Sequence, residues 1–523
     1  MNEPELHTLN AIPGHHARYR PEHIAINFLG TEVSYGELHR ESNRSAHALS
    51  AAGVTRGGRV AYLGKESQHY YEIAFACAKT GAVLVPVNWR LTASEVDHIL
   101  RDSDTELVFV EREFADTVAK VADDLPKLRA VVALDSAQER GAGYLAWKAG
   151  HSDSDLTVRV GPEDPMAQVY TSGTTGSPKG AVIPHRSFFA LGKSLRRAGL
   201  DWVDWSADDT SLISLPGLHM AGLNWSMQGF CAGATNVVLR SFVGQDAVRA
   251  IRDLGVTTTF VAPAMLQMML AEPAADTEAF ASLRKIVYGA SPISEALLGQ
   301  CLDVIKADFV QAYSATEAGN AVTLLPPSEH VPGGPRLKAA GYPVPGVELK
   351  IVGEDGREVA TGEIGEVCVR TPAAMLGYWK MPEVTGRTLV DGWLHMGDAG
   401  YLDADGYLYL CDRVKDIIIV AGANVYPAEV EEALERHPAV AEAGVIGVPD
   451  ENWGEAVHAC VVLRPGERVS PRELMLSLKG SIADYKIPMK YDIVDSLPRN
   501  PTGKILRREL RETFWQGRQS GIH

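Results

Sequence analysis

Three apolar runs, RVAYLG (59–64), AVLVPV (82–87) and ELVFVE (106–111), are separated by stretches at about 67–80 and 93–102 whose apolar residues recur at helical spacing. Runs of this length, rich in valine and leucine, suit strands covered on both faces, and parallel neighbours need a crossover that a helix supplies. The alternation predicts layered α/β architecture with partly parallel sheets. Upstream, Ser34-x-x-Glu37 has the spacing of a capping box, in which serine and glutamate satisfy each other's free amides, so a helix is predicted from there to Gly53.

Downstream the texture changes. Between about 335 and 411 come short β-like runs broken by glycine, namely GYPVPGVELKIV, GEIGEVCVR and DADGYLYLCD, which predict a β-rich subdomain. After Arg413 a new pattern starts, with strands expected at 416–420, 443–448 and 456–463 and helices at 428–437 and 471–483. The expected organisation is a large N-terminal domain over 1–414, with the β-rich subdomain inside it, and a small α+β domain over 415–523.

A chain of 523 residues with 46% apolar and 22% charged residues can bury substantial cores. Its net charge of −16 argues against nucleic-acid binding, which needs clustered Lys and Arg to neutralise phosphates. The six cysteines are scattered with no CxxC pair, so zinc and redox couples are not indicated and reduced core residues are expected. The N-terminus lacks the basic start and apolar run of a signal peptide, and no segment reaches the ~20 apolar residues of a membrane span. A cytoplasmic location is the expectation.

The densest chemical signal is Tyr170-Thr-Ser-Gly-Thr-Thr-Gly-Ser-Pro-Lys-Gly180, directly after the run MAQVY. Glycines let backbone N–H groups approach phosphates, hydroxyls add donors, and Lys179 adds a mobile positive charge, so the segment reads as a polyphosphate loop. It is not a Walker A loop: Pro178 and Gly180 stand where that pattern has glycine and Ser/Thr around the lysine. Read alone, such a cluster is also compatible with a surface loop.

With this loop, the chain resembles the adenylate-forming superfamily of acyl-CoA synthetases, aryl-CoA ligases, luciferases and nonribosomal-peptide adenylation domains. The further segments Tyr313-Ser-Ala-Thr-Glu317, Gly392-Trp-Leu-His-Met-Gly-Asp398, Asp412-Arg-Val-Lys415 through Asn424-Val-Tyr-Pro-Ala-Glu429, and Pro501-Thr-Gly-Lys-Ile505 follow in the family's order. The resemblance implies an ATP-dependent acid:CoA ligase, which joins a carboxylate to AMP with release of pyrophosphate and then transfers the acyl group to CoA. Bringing two anions together is a task of orientation and electrostatics.

Carried over residue by residue, the resemblance implies that Thr171, Ser172, Gly173, Thr174, Thr175, Gly176 and Lys179 cradle the β- and γ-phosphates. Glu317 and Thr171 would stand at the magnesium, and Thr316 would donate to the α-phosphate. Tyr313 would stack on adenine, with Gly289, Ala290, Ser291, Gln311 and Ala312 around the nucleotide. Asp398 would meet the ribose, and Arg413 the ribose or the phosphates. Lys504 is the implied catalytic lysine, bridging attacking carboxylate and α-phosphate. Lys415 falls at the hinge, where the C-terminal domain would turn to present the stretch around Gly422 to the pantetheine of CoA. Taken singly, Glu317 is also readable as a solvated helix-start acid, Asp398 as a turn residue and Lys504 as part of a basic tail.

The acyl pocket is implied around His219, Met220, Gly222, Ser314, Ala318 and Gly319, with His219 as a wall residue rather than a base. Small residues at Gly289, Ala290, Ala315, Ala318 and Gly319 suggest space, hence an apolar acid of medium or long chain or a bulky ring, although Trp225 could cap and shorten the cavity. Two departures from the family pattern stand out: Ser314 replaces a usual glycine and narrows that wall, and Met396 replaces a common threonine. The expected partners are the acid, ATP, Mg²⁺ and CoA, with no nucleic acid and with room for a homodimer. Two other readings stay open: a ligase that loads a carrier-protein phosphopantetheine, and a catalytically silent adenylate-binding protein. An amino-acid substrate is disfavoured because Leu215 to Trp225 contains no aspartate for its ammonium.

Overall fold

The computed structural model describes residues 6–134, 143–171, 178–291, 293–420, 423–450, 453–499 and 505–515, without the side chains of Lys415 and Gly454. The chain divides into two compact units, Met1–Glu348 with Val369–Leu394, and Leu349–Cys368 with His395–His523.

The first unit is built on two large sheets. In one, the strands run in the order Gly377–Tyr378, Lys179–Pro184, Pro165–Thr171, Val83–Val87, Arg59–Leu63, Thr105–Glu111 and Ala130–Leu134. The three runs that predicted the fold are its parallel centre, Arg59 to Leu63 pairing with Val83 to Val87 on one side and with Thr105 to Val110 on the other. Both Arg59–Leu63 and Val83–Val87 are buried along their whole length, as strands covered on both faces must be. Helices Gln68–Thr80 and Ala93–Asp102 are the crossovers. The first ends at Gly81, whose φ of +70° suits glycine, and the second starts in a capping box of Thr92 and Glu95. The Ser34/Glu37 box also forms, opening helix Tyr35–Ala51.

The second sheet has nine strands, with a parallel centre of Asp308–Tyr313, Lys285–Gly289, Thr258–Val261, Thr210–Ile213 and Thr235–Val238. Val248, Ile251, Leu266, Phe280 and Tyr288 pack in its core. The region 335–411 is β-rich as read. Two of its strands serve as edges of the large sheets: Tyr342–Pro343 in the nine-stranded sheet and Gly377–Tyr378 in the seven-stranded one.

In the second unit, strand Trp393–Leu402 pairs antiparallel with Leu408–Arg413. Its C-terminal part is a five-stranded sheet in which Gly454–Leu463 pairs with Val440–Asp450 and, in parallel, with Lys490–Ile493. Helices Pro427–Glu435 and Pro471–Leu478 cover it, burying Val430, Leu434, Leu474 and Leu478 against Val445 and Val461. The helix Pro471–Leu478 is shorter than the predicted 471–483, because Lys479 is extended and Gly480 takes φ +80°. The strand predicted from Asp416 starts at Ile418, since Val414–Asp416 forms a 3-10 turn. All six cysteines are free thiols, four of them buried. No helix among the described residues is long and apolar enough to cross a membrane.

Candidate active site

Strands Pro165–Thr171 and Lys179–Pro184 are antiparallel neighbours with Thr171 opposite Lys179, so the two ends of the polyphosphate-type loop leave the sheet at one point. Ser172, Gly173, Thr174, Thr175 and Gly176 lie outside the described residues. Gly180 fits here because a Cβ would sit 2.7 Å from the Gln168 amide nitrogen. In the other sheet, strand Asp308–Tyr313 leads into the 3-10 turn Thr316–Ala318. That turn carries Glu317 to Thr171: its Oε1 accepts from the Tyr378 hydroxyl at 2.7 Å and from the Thr171 hydroxyl at 3.4 Å. The Lys179 ammonium lies 5.4 Å from the centre of the Tyr378 ring. Thr171, Lys179 and Glu317 therefore converge as the sequence implied, with Thr316 opening the same turn.

Tyr378 was missed, since only the tertiary pairing of its short strand with Lys179–Pro184 brings it here. Burial, and then the neighbouring Glu317 carboxylate, push its phenol above the ordinary range, so it stays a donor. The segment is pinned on both sides: the Met375 amide donates to the Glu317 carbonyl, and the Trp379 amide to that of Gly180. Arg59 stacks on Trp379 at 3.5 Å.

Gly289 and Ala312 are paired in parallel register beside Gln311, whose amide oxygen accepts from the Tyr288 hydroxyl. Ala290, next to Ser291, takes φ +69°, a strained setting for a residue with a Cβ. Tyr313 closes its strand with 9% of its surface exposed.

The implied acyl-side residues correct one part of the sequence reading. Gly289, Gly319 and Gly222 do not leave space: a Cβ would lie 2.3 Å from the Ala312 carbonyl oxygen, 2.1 Å from that of Ala373 and 2.2 Å from that of Pro216, respectively. Their missing side chains are used by close backbone approach, and Gly319 also needs its φ of +72°. Ala318 is fully buried. Ser314 does not narrow a wall as expected either, because its exposed hydroxyl turns back to the carbonyls of Asn320 and Ala315. Trp225 is buried, its indole N–H held by Ser211 and its ring edge-on to Phe260.

His219 precedes helix Met220–Ala232 and lies 3.4 Å from the Asn88 amide. Burial, and then Arg90, push its imidazole down to about 4, leaving it neutral and a weak base. The segment before it is clamped by a buried group that the sequence did not flag. Glu66 accepts from the Gly217 amide at 2.5 Å and from the Tyr71 hydroxyl at 2.9 Å.

In the second unit, Asp398 lies opposite Arg413 in the antiparallel pair and is ion-paired with it at 2.8 Å. Arg413 also reaches the Met396 carbonyl. Met396 itself is buried. The backbone of Lys415 falls in the 3-10 turn after Arg413, while Gly422 and Lys504 lie outside the described residues.

Residues 14–379 match the AMP-binding enzyme family and residues 429–504 its C-terminal domain. The chain is 55% identical over 98% of both chains to a fatty acid–[acyl-carrier-protein] ligase of Streptomyces coeruleorubidus. It is 37% identical to a feruloyl-CoA synthase of an Amycolatopsis species, covering 97% of this chain and 99% of that one. Among solved structures, ATP-bound MatB from Rhodopseudomonas palustris superposes with a TM-score of 0.87 at 30% identity, over 98% of this chain and 99% of that one. The extended family match, the full-length relatives and the convergence of Thr171, Lys179 and Glu317 agree: the chain belongs to the AMP-binding enzyme family of adenylate-forming ligases.

Proposed function

We propose that this enzyme activates an apolar carboxylic acid with ATP and passes the acyl group to a phosphopantetheine thiol. The observation that carries the reading is the meeting of Glu317, Thr171 and Lys179 where the phosphate-type loop leaves the sheet. Glu317 and Thr171 offer two hard oxygens, and no described residue forms an ion pair with Glu317, so the pair fits Mg²⁺ bound with substrate phosphates. That ion would offset phosphate charge. Lys179 and the loop amides would hold the β- and γ-phosphates, and Asp398, oriented by Arg413, would accept from the ribose. The acid oxygen then attacks the α-phosphorus in line, pyrophosphate leaves, and Lys504 stabilises the charge shared by acid and phosphate. The thiol next attacks the acyl carbon and AMP departs, after a turn of the 415–523 domain at Lys415 that brings the stretch around Gly422 to the pantetheine.

For the acceptor, the 55% identity to a carrier-protein ligase favours a carrier protein, and the same relative favours a fatty acid. Free CoA, with an aromatic acid as alternative substrate, is the second reading, favoured by the 37% identity to a feruloyl-CoA synthase. Both acceptors present the same thiol. The test is acid-dependent pyrophosphate release over acetate, octanoate, palmitate and benzoate, followed by thioester formation with CoA or with a phosphopantetheinylated carrier. Acetate as best substrate would sink the apolar pocket, and thioester on CoA alone would select the second reading. Lys504→Ala should lower pyrophosphate release by about a hundredfold or more while transfer from supplied acyl-AMP persists. Equal loss of both steps would count against the hinge.

A further inference from the structure

Glu366 and Cys368 stand two residues apart on strand Gly365–Arg370, so they share a face, and His395 comes from strand Trp393–Leu402. His395 Nδ1 lies 2.8 Å from Glu366 Oε2 and 3.5 Å from Cys368 Sγ. One ligand-type atom from each residue lies within 4.8 Å of the others. We propose that Glu366, Cys368 and His395 form a site for one borderline-soft divalent cation of the Zn²⁺ class, separate from the Mg²⁺ that accompanies ATP.

The spacing suits a tetrahedral ion. Bonds of about 2.05 Å to nitrogen and about 2.3 Å to sulfur hold the two atoms about 3.5 Å apart, which the Cys368–His395 pair already matches. The corresponding nitrogen–oxygen separation is about 3.3 Å, so Glu366 must withdraw by about half an ångström. Its side chain, 30% exposed, has room to do so. The donor inventory points the same way. A neutral imidazole carries at most one proton on Nδ1; when the carboxylate takes it, the sulfur is left in a 3.5 Å contact that a shared cation would turn into a bond. One sulfur, one nitrogen and one oxygen are poor company for Mg²⁺ or Ca²⁺ and good company for Zn²⁺ or Co²⁺. Three protein ligands leave a fourth position for water, and His395, 31% exposed, gives the entry path.

Cys368 is a buried free thiol before the ion arrives. Binding must break the S–H bond and form a metal–sulfur bond, with the proton leaving to buffer. A similar trio, His458, Cys460 and Asp492, serves as an internal control. There the Asp492 side chain is 56% exposed and the His458 ring packs on Phe514.

The test uses the untagged full chain in chelator-treated buffer, titrated with Co²⁺. Expected are one ion per chain with thiolate-to-cobalt absorption, about one proton released from the thiol, and displacement by Zn²⁺. Cys368→Ser should abolish the absorption, Glu366→Gln should keep it while weakening affinity at least about tenfold, and Cys460→Ser should change neither. Absence of the band, or a band lost in Cys460→Ser and kept in Cys368→Ser, would overturn the site. If Cys368→Ser fails to fold by circular dichroism, Glu366→Gln against Cys460→Ser decides. Acid-dependent pyrophosphate release is measured separately with Mg²⁺ alone, so failure here leaves the ligase reading untouched.

Discussion

Glu317 in the first unit and Asp398 in the second are carboxylates that the chain surrounds in opposite ways. Glu317 is met by two hydroxyls, those of Tyr378 and Thr171. Asp398 is met by the Arg413 guanidinium, and nearby Asp412, Asp416 and Glu431 cluster around Arg507. Hydroxyls orient a carboxylate without cancelling its charge, so an incoming cation still feels it. A guanidinium cancels the charge and fixes the plane, which suits a group that must recognise a neutral diol. On the proposed reading, the first arrangement suits an ion and the second a sugar.

The contrast breaks most visibly at Arg507, whose side chain is 12% exposed and which lies 2.7 Å from Glu431. Arg507→Ala strands Asp412 and Glu431, while Asp416 keeps Arg511, and should cost the second unit about 3–5 kcal/mol, read as a lower urea midpoint for its unfolding. A loss below about 1 kcal/mol would class the cluster with ordinary surface pairs. Next in size, Glu317→Gln keeps the hydroxyl contacts and removes the charge. Adenylation at fixed Mg²⁺ should fall by about a hundredfold, about 2.7 kcal/mol, with the thermal midpoint unchanged. Full activity recovered simply by adding Mg²⁺ would sharpen the ion-binding role; no loss at all would remove it.

The smallest effect concerns Glu66, a buried carboxylate met by a hydroxyl and an amide. Burial pushes it up to about 7, against the downward pull of Tyr71 and Gly217. Because the folded value lies above the ordinary one, its stabilising contribution is complete below about pH 4.5 and is lost as pH climbs through about 7. Between about pH 5 and about pH 8 the wild type should lose on the order of 1–3 kcal/mol from this group, and Glu66→Gln, which cannot ionise, should lose less. Matching thermal midpoints for the two proteins across that range would refute the assignment.

Local rules made the parallel centre and the capping box at Ser34 legible, because each is written in adjacent residues. Thr171, Lys179 and Glu317 were legible because their motifs carry them. Tyr378 was not, since it reaches Glu317 across 61 residues through strand pairing that no local spacing records. Gly289 and Gly319 were misread as open volume for a related reason: a glycine in sequence says only that no side chain is present, and tertiary structure decides whether backbone or cavity takes its place. Glu66 was silent because a buried acid looks, in a sequence, like any other.

The Gly319 contact has a practical consequence for redesign. With the Ala373 carbonyl 2.1 Å from where a Cβ would be, residue 319 belongs to the frame that seats Glu317, two positions earlier in the chain. A mutant library that varied this position to retune acid preference would displace that carboxylate first. Its survivors would be selected for repaired adenylation, and a screen scoring product alone would mistake repair for new selectivity.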